Sequence, residues 1–393
     1  MITRPPIALA ILIFAVFSGS SLWFSCNAIL TELAAAMPDS IFDISGVTTA
    51  VQLGFISGTL IFAMLNISDR FPTGLVFLIS SILGSASNAL ILILPLNIET
   101  LLVSRYLTGF FLAGIYPIGV KIAALWQPNN LGRALGHIVG ALVVGTALPH
   151  LIKSLELSLN WQAIIFFSSS LALIGGLLVR FTLVEKSAPH KSTQHLGKGL
   201  FNIFKSASFK SSSYGYFGHM WELYTFWAFL PLILLTYNQY SGAEFNISLW
   251  SFLIISSGAI GCSIGGILSS KFGSANIAFY QLASSALCCL VFPLMLSSGP
   301  SLFFLYLLVW GITVAGDSPQ FSTLNAQTAP VEVIASAITL VISLGFGLTI
   351  ISMYTFKFIM VNAGLPIAVS LIAVGPIYGL IFLHPLKNKQ PAP

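Results

Sequence analysis

Two stretches of the chain align without a gap: Gly109-Phe-Phe-Leu-Ala-Gly-Ile-Tyr-Pro-Ile-Gly-Val-Lys-Ile-Ala-Ala-Leu-Trp-Gln-Pro128 and Gly311-Ile-Thr-Val-Ala-Gly-Asp-Ser-Pro-Gln-Phe-Ser-Thr-Leu-Asn-Ala-Gln-Thr-Ala-Pro330. They share Gly109/Gly311, Ala113/Ala315, Gly114/Gly316, Pro117/Pro319, Ala124/Ala326 and Pro128/Pro330, six identities in twenty positions. The glycine and proline matches are the informative ones, because each imposes a backbone requirement that few other residues meet. The chain therefore reads as a duplication, with the segment after residue 101 matched by the segment after residue 301.

Apolar runs of membrane-spanning length, about 20 residues, recur on both sides of these stretches. Twelve helices are predicted, at 7–30, 46–65, 74–94, 101–125, 133–153, 161–183, 213–236, 248–269, 276–297, 301–324, 333–356 and 364–383. The expected fold class is all-α, with twelve transmembrane helices in two pseudo-symmetric six-helix bundles. Residues 1–183 are assigned to an N-terminal bundle and 184–212 to a cytoplasmic linker. Residues 213–393 are assigned to a C-terminal bundle with a short cytoplasmic tail. Within the linker, Leu200, Phe201, Ile203 and Phe204 flank lysines, a pattern open to an interfacial amphipathic helix or a plain connector. The first apolar run follows Arg4 like a secretion signal, but it continues to about Leu30 with no convincing cleavage site, so it is read as the first membrane helix.

Composition excludes most other classes. Of 393 residues, 56% are hydrophobic and only 7% are Asp, Glu, Lys or Arg, against about 25% charged in soluble domains. The formal charge of +5 is not a nucleic-acid footprint, because the bases are few and unclustered. The cysteines Cys26, Cys262, Cys288 and Cys289 lie in apolar segments without metal-site spacing, so no metal and no cofactor is expected. Neither a nucleotide-binding loop nor a metalloprotease or esterase motif is visible, so the protein is not expected to be an enzyme. Basic residues favour one side of the predicted helices: Arg4, Arg70, Arg133, Arg180, the linker lysines, Lys271, Lys387 and Lys389. Glu32, Asp39, Asp43, Glu99, Glu156 and Glu244 fall on the other side, with Lys153 as its main base. The positive-inside rule then predicts both termini in the cytoplasm. The expected location is the plasma membrane, or the inner membrane of a bacterium.

The chain resembles the major facilitator superfamily. That family carries Gly-x-x-x-Asp-Arg-x-Gly-Arg between its second and third helices. Leu65-Asn-Ile-Ser-Asp69-Arg70-Phe-Pro-Thr73 keeps the Asp-Arg pair without the glycines or the last Arg, and Gly266-Ile-Leu-Ser-Ser-Lys271-Phe-Gly273 keeps the glycines and a base without the Asp. The resemblance spans essentially the whole chain. It implies a secondary carrier working by alternating access, with helices one, four, seven and ten lining the path. Because 46–65 and 248–269 contain no Arg, the nitrate carriers of the family are disfavoured.

Ionisable residues inside a membrane are costly and face the protein or water, so each is a candidate. Helix seven reads Tyr214-Gly-Tyr-Phe-Gly-His219-Met-Trp-Glu222-Leu-Tyr224-Thr-Phe-Trp227, placing His219 and Glu222 on one face. Desolvation disfavours a charged carboxyl, so Glu222 is a candidate proton carrier, with His219 as relay and Asp317 as a second acid. Asp317 belongs to one half only, since its repeat partner is Ile115, and it shares a face with Thr313, Gln320 and Leu324. Candidate substrate contacts are Trp23, Asn27, Arg105, Tyr116, Lys121, His219, Glu222, Tyr224, Asp317 and Gln320. Structural readings stand beside several of these: snorkelling for Arg105 and Lys121, packing for Trp23 and Asn27, and a helix-to-helix bond for Glu222. Asp69, Arg70 and Lys271 are assigned to a cytoplasmic gate.

The resulting expectation is a proton-coupled carrier, functional as a monomer in the bilayer, that moves a small molecule. A small organic anion is favoured by Arg105 and Lys121. The alternative is a proton-driven exporter of cationic or amphipathic compounds, which would use Glu222 and Asp317. A membrane sensor on the same scaffold is a remote third reading.

Overall fold

The computed structural model describes residues 5–38, 44–127, 131–155, 160–183, 200–330 and 334–387. Arg4, Asp39, Asp43, Pro128, Glu156, Lys186, Lys191, Lys198 and Lys389, used above for the repeat and the charge pattern, lie outside the described residues. The chain forms two compact units, Met1–Leu196 and Gly197–Pro393.

The first unit contains α1 (Pro5–Ser20), α2 (Ile44–Met64), α3 (Thr73–Ile93), α4 (Ile98–Leu112, continued by Tyr116–Trp126), α5 (Leu131–Ser154) and α6 (Trp161–Thr182). Helix α1 packs against α5 and α6, α3 against α4 and α6, and α2 against α4. The second unit contains α7 (Ala207–Ser241), α8 (Ile247–Phe272), α9 (Ser274–Leu296), α10 (Pro300–Gly316, continued by Ser318–Thr328), α11 (Ile334–Ala363) and α12 (Leu365–Ile372, continued by Val374–Leu383). Here α7 packs against α11 and α12, and α10 against α8 and α9. Some helix starts use side-chain caps. Asn97, Ser206 and Asn246 each accept a backbone N–H of the first turn of α4, α7 and α8.

Among the described residues, eleven helices are long and apolar enough to cross a membrane, and Pro6–Ser20 is a shorter apolar helix. Large apolar side chains such as Phe181, Leu294 and Val361 are exposed on the outer faces. Only lipid makes such a surface favourable.

The repeat has a physical meaning. A Cβ at Gly109 would lie 1.9 Å from the Val51 carbonyl oxygen of α2, and one at Gly311 would lie 2.1 Å from the Ile254 oxygen of α8. Both glycines exist because α4 meets α2, and α10 meets α8, backbone to backbone. Gly114 and Gly316 do the same against side chains, Ser80 of α3 and Gln281 of α9. Both helices then break, α4 after Leu112 and α10 after Gly316. Pro117 and Pro319 sit in the first turn of the resumed helices, where a missing N–H leaves no bond unmade.

These breaks correct three expectations. The face shared by Thr313, Asp317, Gln320 and Leu324 crosses the interruption after Gly316, so uninterrupted 3.6-residue spacing does not hold along it. The first helix does not run unbroken from 7 to 30. It stops at Ser20, gives way to turns, and resumes through a 3₁₀ segment at Asn27–Ile29 into Leu30–Ala36. The seventh begins at Ala207 rather than 213, so the last part of the expected linker is helical. Leu200–Lys205 is a 3₁₀ segment packed on α7, with Phe204 5.5 Å from Phe209 between ring centres.

Candidate functional site

The first unit holds a buried arginine. Arg105 on α4 is fully buried, which rules out snorkelling. Its Nη2 donates to the carbonyl oxygens of Trp23 at 2.6 Å and Leu22 at 2.9 Å. Its Nη1 donates to Asn88 Oδ1 at 2.8 Å and Ser25 Oγ at 3.2 Å. Asn88 is fixed in turn, accepting from Ser25 Oγ at 2.8 Å and donating to Ser169 Oγ at 3.0 Å. Among the described residues no carboxylate pairs with the guanidinium.

This network explains the break in α1. Ser21, Leu22 and Trp23 donate their backbone N–H three residues back, to Ser18, Gly19 and Ser20. The hydroxyls of Ser21 and Ser25 bond the Ser18 and Leu22 carbonyls. The turn tightens, and the Leu22 and Trp23 carbonyls are turned to the guanidinium. Carbonyl dipoles and a side-chain amide thus replace water around a buried charge. Arg105 was expected to touch substrate; in this structure both of its terminal nitrogens are occupied by the protein.

Trp23 and Asn27, expected as substrate contacts, pack inside the same unit. The Trp23 ring lies edge-on to Phe55 at 5.0 Å, and Asn27 Nδ2 donates to Thr48 Oγ1 at 2.8 Å. Tyr116 opens the second part of α4 and is half-buried. Lys121 is held at the α2–α3 connection, where Nζ lies 2.6 Å from Asp69 Oδ1 and 2.5 Å from the Ser68 carbonyl oxygen. A base reserved for an anionic solute is therefore not what this geometry provides. Arg70 and Lys271, the other gate candidates, are exposed. The Asp69–Lys121 pair is about one-third exposed, so its worth is about 0.2–1 kcal/mol. Lys121→Gln is expected to lower the melting temperature of the purified protein by no more than about 4 °C. The charge-swapped double variant should recover the loss; a loss of more than 10 °C (roughly 3 kcal/mol or more) would show that Lys121 does more than tie the loop.

The second unit holds the acids. Glu222 on α7 is 1% exposed and is surrounded by donors. Trp310 Nε1 of α10 donates to Oε1 at 2.6 Å, Cys289 Sγ of α9 donates to the same oxygen at 3.4 Å, and Ser285 Oγ of α9 donates to Oε2 at 2.8 Å. Phe226, one turn on from Glu222, stacks on Trp310 at 4.2 Å and fixes the indole.

One turn earlier on α7, His219 Nδ1 lies 2.8 Å from Asp317 Oδ1, and Nε2 lies 2.8 Å from Ser318 Oγ. Asp317 occupies the break in α10 and is fully buried. The Nδ1 contact is close but is not aligned as a hydrogen bond, and Asp317 Oδ2 has no partner among the described residues. Gln320 is buried beside it, near Gly265 of α8. Tyr224 packs against Trp227 and Phe346.

The structure thus brings His219, Glu222 and Asp317 into one neighbourhood. Sequence reading missed Asn88, Ser285, Cys289 and Trp310. The signals were present: Asn88 is an amide inside an apolar run, and Ser285 and Cys289 are four apart on one helix face.

A bundle of broken membrane helices with buried, solvated charges at the breaks is the architecture of membrane carriers. The sequence profile of the Major Facilitator Superfamily matches residues 7–353, and the chain belongs to that family. A solved structure of the human organic anion transporter MFSD10 (TETRAN) superposes with a TM-score of 0.73, covering 97% of this chain and 100% of that one at 14% identity. A triacylglyceride transporter of Mycolicibacterium hassiacum is 27% identical over 43% of this chain and 32% of its own length. The putative uncharacterized transporter YgaY of Escherichia coli K12 is 28% identical over 41% of this chain and 40% of its own length. The matched stretches therefore span well under half of these relatives.

Proposed function

We propose that the protein is a secondary carrier driven by the proton gradient, with Glu222 as the coupling acid and the His219–Asp317 pair beside it. The observation that carries this reading is Glu222: a carboxyl removed from water, held between three donors and, among the described residues, with no base paired to it. A buried acid is spared the cost of isolation by taking up a proton. Asp317, with one oxygen unpartnered, is the second proton or donor site.

We infer that the solute is neutral or cationic and amphipathic, which replaces the small organic anion expected above. Both bases that favoured an anion, Arg105 and Lys121, are bound to protein groups. The relative described as a triacylglyceride transporter fits an apolar solute. The organic anion transporter, at 14% identity, supports the fold and not the solute. We assign the protein to the plasma membrane with both termini in the cytoplasm, on the charge pattern, and Asp69, Arg70 and Lys271 to the cytoplasmic gate.

The test is transport into proteoliposomes across an imposed pH gradient. The probes are rhodamine 6G as cation, a fluorescent diacylglycerol as neutral amphipath and p-aminohippurate as anion. Gradient-dependent movement of either of the first two is expected. Movement of the anion alone would overturn the solute class, and movement indifferent to the pH gradient would overturn proton coupling.

A further inference from the structure

We propose that Ser285 is the positioning residue that lets Glu222 gain and lose a proton without losing a hydrogen bond. The inference rests on the reading of Glu222 as the coupling acid and names how the site makes that exchange reversible.

The argument starts from what each neighbour can do. The indole N–H of Trp310 donates only, so Oε1 of Glu222 must remain an acceptor in either protonation state. The Cys289 thiol points at the same oxygen. A proton can therefore be accommodated only at Oε2, whose neighbour is the Ser285 hydroxyl at 2.8 Å. A hydroxyl both donates and accepts. Ser285 Oγ also lies 3.1 Å from the carbonyl oxygen of Leu282, one turn back on α9.

Two arrangements follow with no heavy atom moved. With Glu222 ionised, Ser285 donates its hydrogen to Oε2. When a proton arrives on Oε2, the new O–H donates to Ser285 Oγ, and the serine hydrogen swings to the Leu282 carbonyl. Loss of the proton reverses both steps. One proton enters or leaves, and one hydroxyl rotates. Every donor keeps an acceptor in both states, which avoids the cost of about 1–3 kcal/mol for a buried polar group left unpaired. A residue that only donates, as Trp310 does, would hold the acid in its ionised form. One that only accepts would hold it protonated.

The titratable groups around Glu222 are His219 on its own helix, Cys288 and Cys289 on α9, and Tyr306 and Asp317 on α10. Of these, only Cys289 donates directly to the carboxyl, and it does so at the other oxygen. The exchange at Oε2 is thus the business of Ser285.

The test is infrared difference spectroscopy of the purified protein between high and low pH, with Glu222→Gln used to assign the carboxylic C=O band. In Ser285→Ala the protonated acid has lost the acceptor of its O–H. Its C=O band is expected to move to higher frequency, and pH-gradient-driven transport of rhodamine 6G to fall at least tenfold. Ser285→Thr, which keeps the hydroxyl, should leave both as in the wild type. Ser285→Cys, a weaker partner of similar size, should move the band in the same sense by less, and it keeps the test open if the alanine variant does not fold. If the wild type shows no band that Glu222→Gln removes, the coupling role of Glu222 fails. If that band is present and neither Ser285→Ala nor Ser285→Cys moves it, Glu222 stands and the role of Ser285 is overturned.

Discussion

Arg105→Leu is expected to lower the melting temperature of the purified protein by roughly 4–24 °C. The substitution is one the chain has already made, since the repeat counterpart of Arg105 is the buried Leu307. Leucine there leaves the Trp23 carbonyl without the donor that now reaches it at 2.6 Å, and it leaves the single hydroxyl hydrogen of Ser25 to serve both the Leu22 carbonyl and Asn88 Oδ1, so that one of those two is orphaned as well. Each orphaned buried acceptor costs about 1–3 kcal/mol. Two give about 2–6 kcal/mol, and in a unit of this size each kcal/mol moves the midpoint by roughly 2–4 °C. Arg105→Lys should recover little of the loss. One ammonium cannot span two carbonyls, an amide and a hydroxyl in the plane that a guanidinium supplies. A melting curve in detergent reads both variants. A loss under about 2 °C for leucine would mean that the turns after Ser20 hold without Arg105.

Glu222→Gln is expected to abolish accumulation against a gradient while sparing exchange. Glutamine keeps the shape of the acid, and its carbonyl can still accept from Trp310, so the packing of Phe226 on the indole survives. It cannot take up or release a proton. With one proton per solute, a pH difference of one unit supports roughly tenfold accumulation, because about 1.4 kcal/mol is a factor of ten. In the variant that ratio should fall to one, while counterflow of labelled against unlabelled rhodamine 6G continues. Loss of both activities with a normal melting curve would instead assign Glu222 to solute binding. Normal accumulation would make it a structural hydrogen-bond acceptor.

The membrane class and the duplication were legible because they rest on quantities that sum along the chain. Apolar run length needs no tertiary information, and Gly109/Gly311 and Pro117/Pro319 repeat because each pair meets one local requirement: close helix approach, then a restart after a break. The interruptions themselves were less legible. Ser18-Gly-Ser-Ser-Leu-Trp-Phe-Ser25 is apolar enough to read as helix, and it departs from helix where a side chain 82 and 83 residues away takes its carbonyls. For the same reason charge alone leaves the role of the bases open. Arg105 and Lys121 are similar as interior cations in sequence. Their partners, two carbonyls in one case and Asp69 in the other, come from other helices and loops. His219, Glu222 and Asp317 stood out in the sequence because an ionisable residue in a membrane helix is costly unless partnered or neutralised. The groups that tune them, Ser285 and Trp310, look in sequence like ordinary small and aromatic packing residues.

Under the proposed function, the buried cation of the first unit holds its fold and the buried acids of the second carry the proton. The most direct test adds rhodamine 6G to lightly buffered proteoliposomes without an imposed gradient and follows the lumenal pH with a trapped dye. The wild type should show a pH change that tracks probe movement, and Glu222→Gln should move the probe with none. Equal pH signals from the two proteins would place the coupling proton elsewhere and contradict the account.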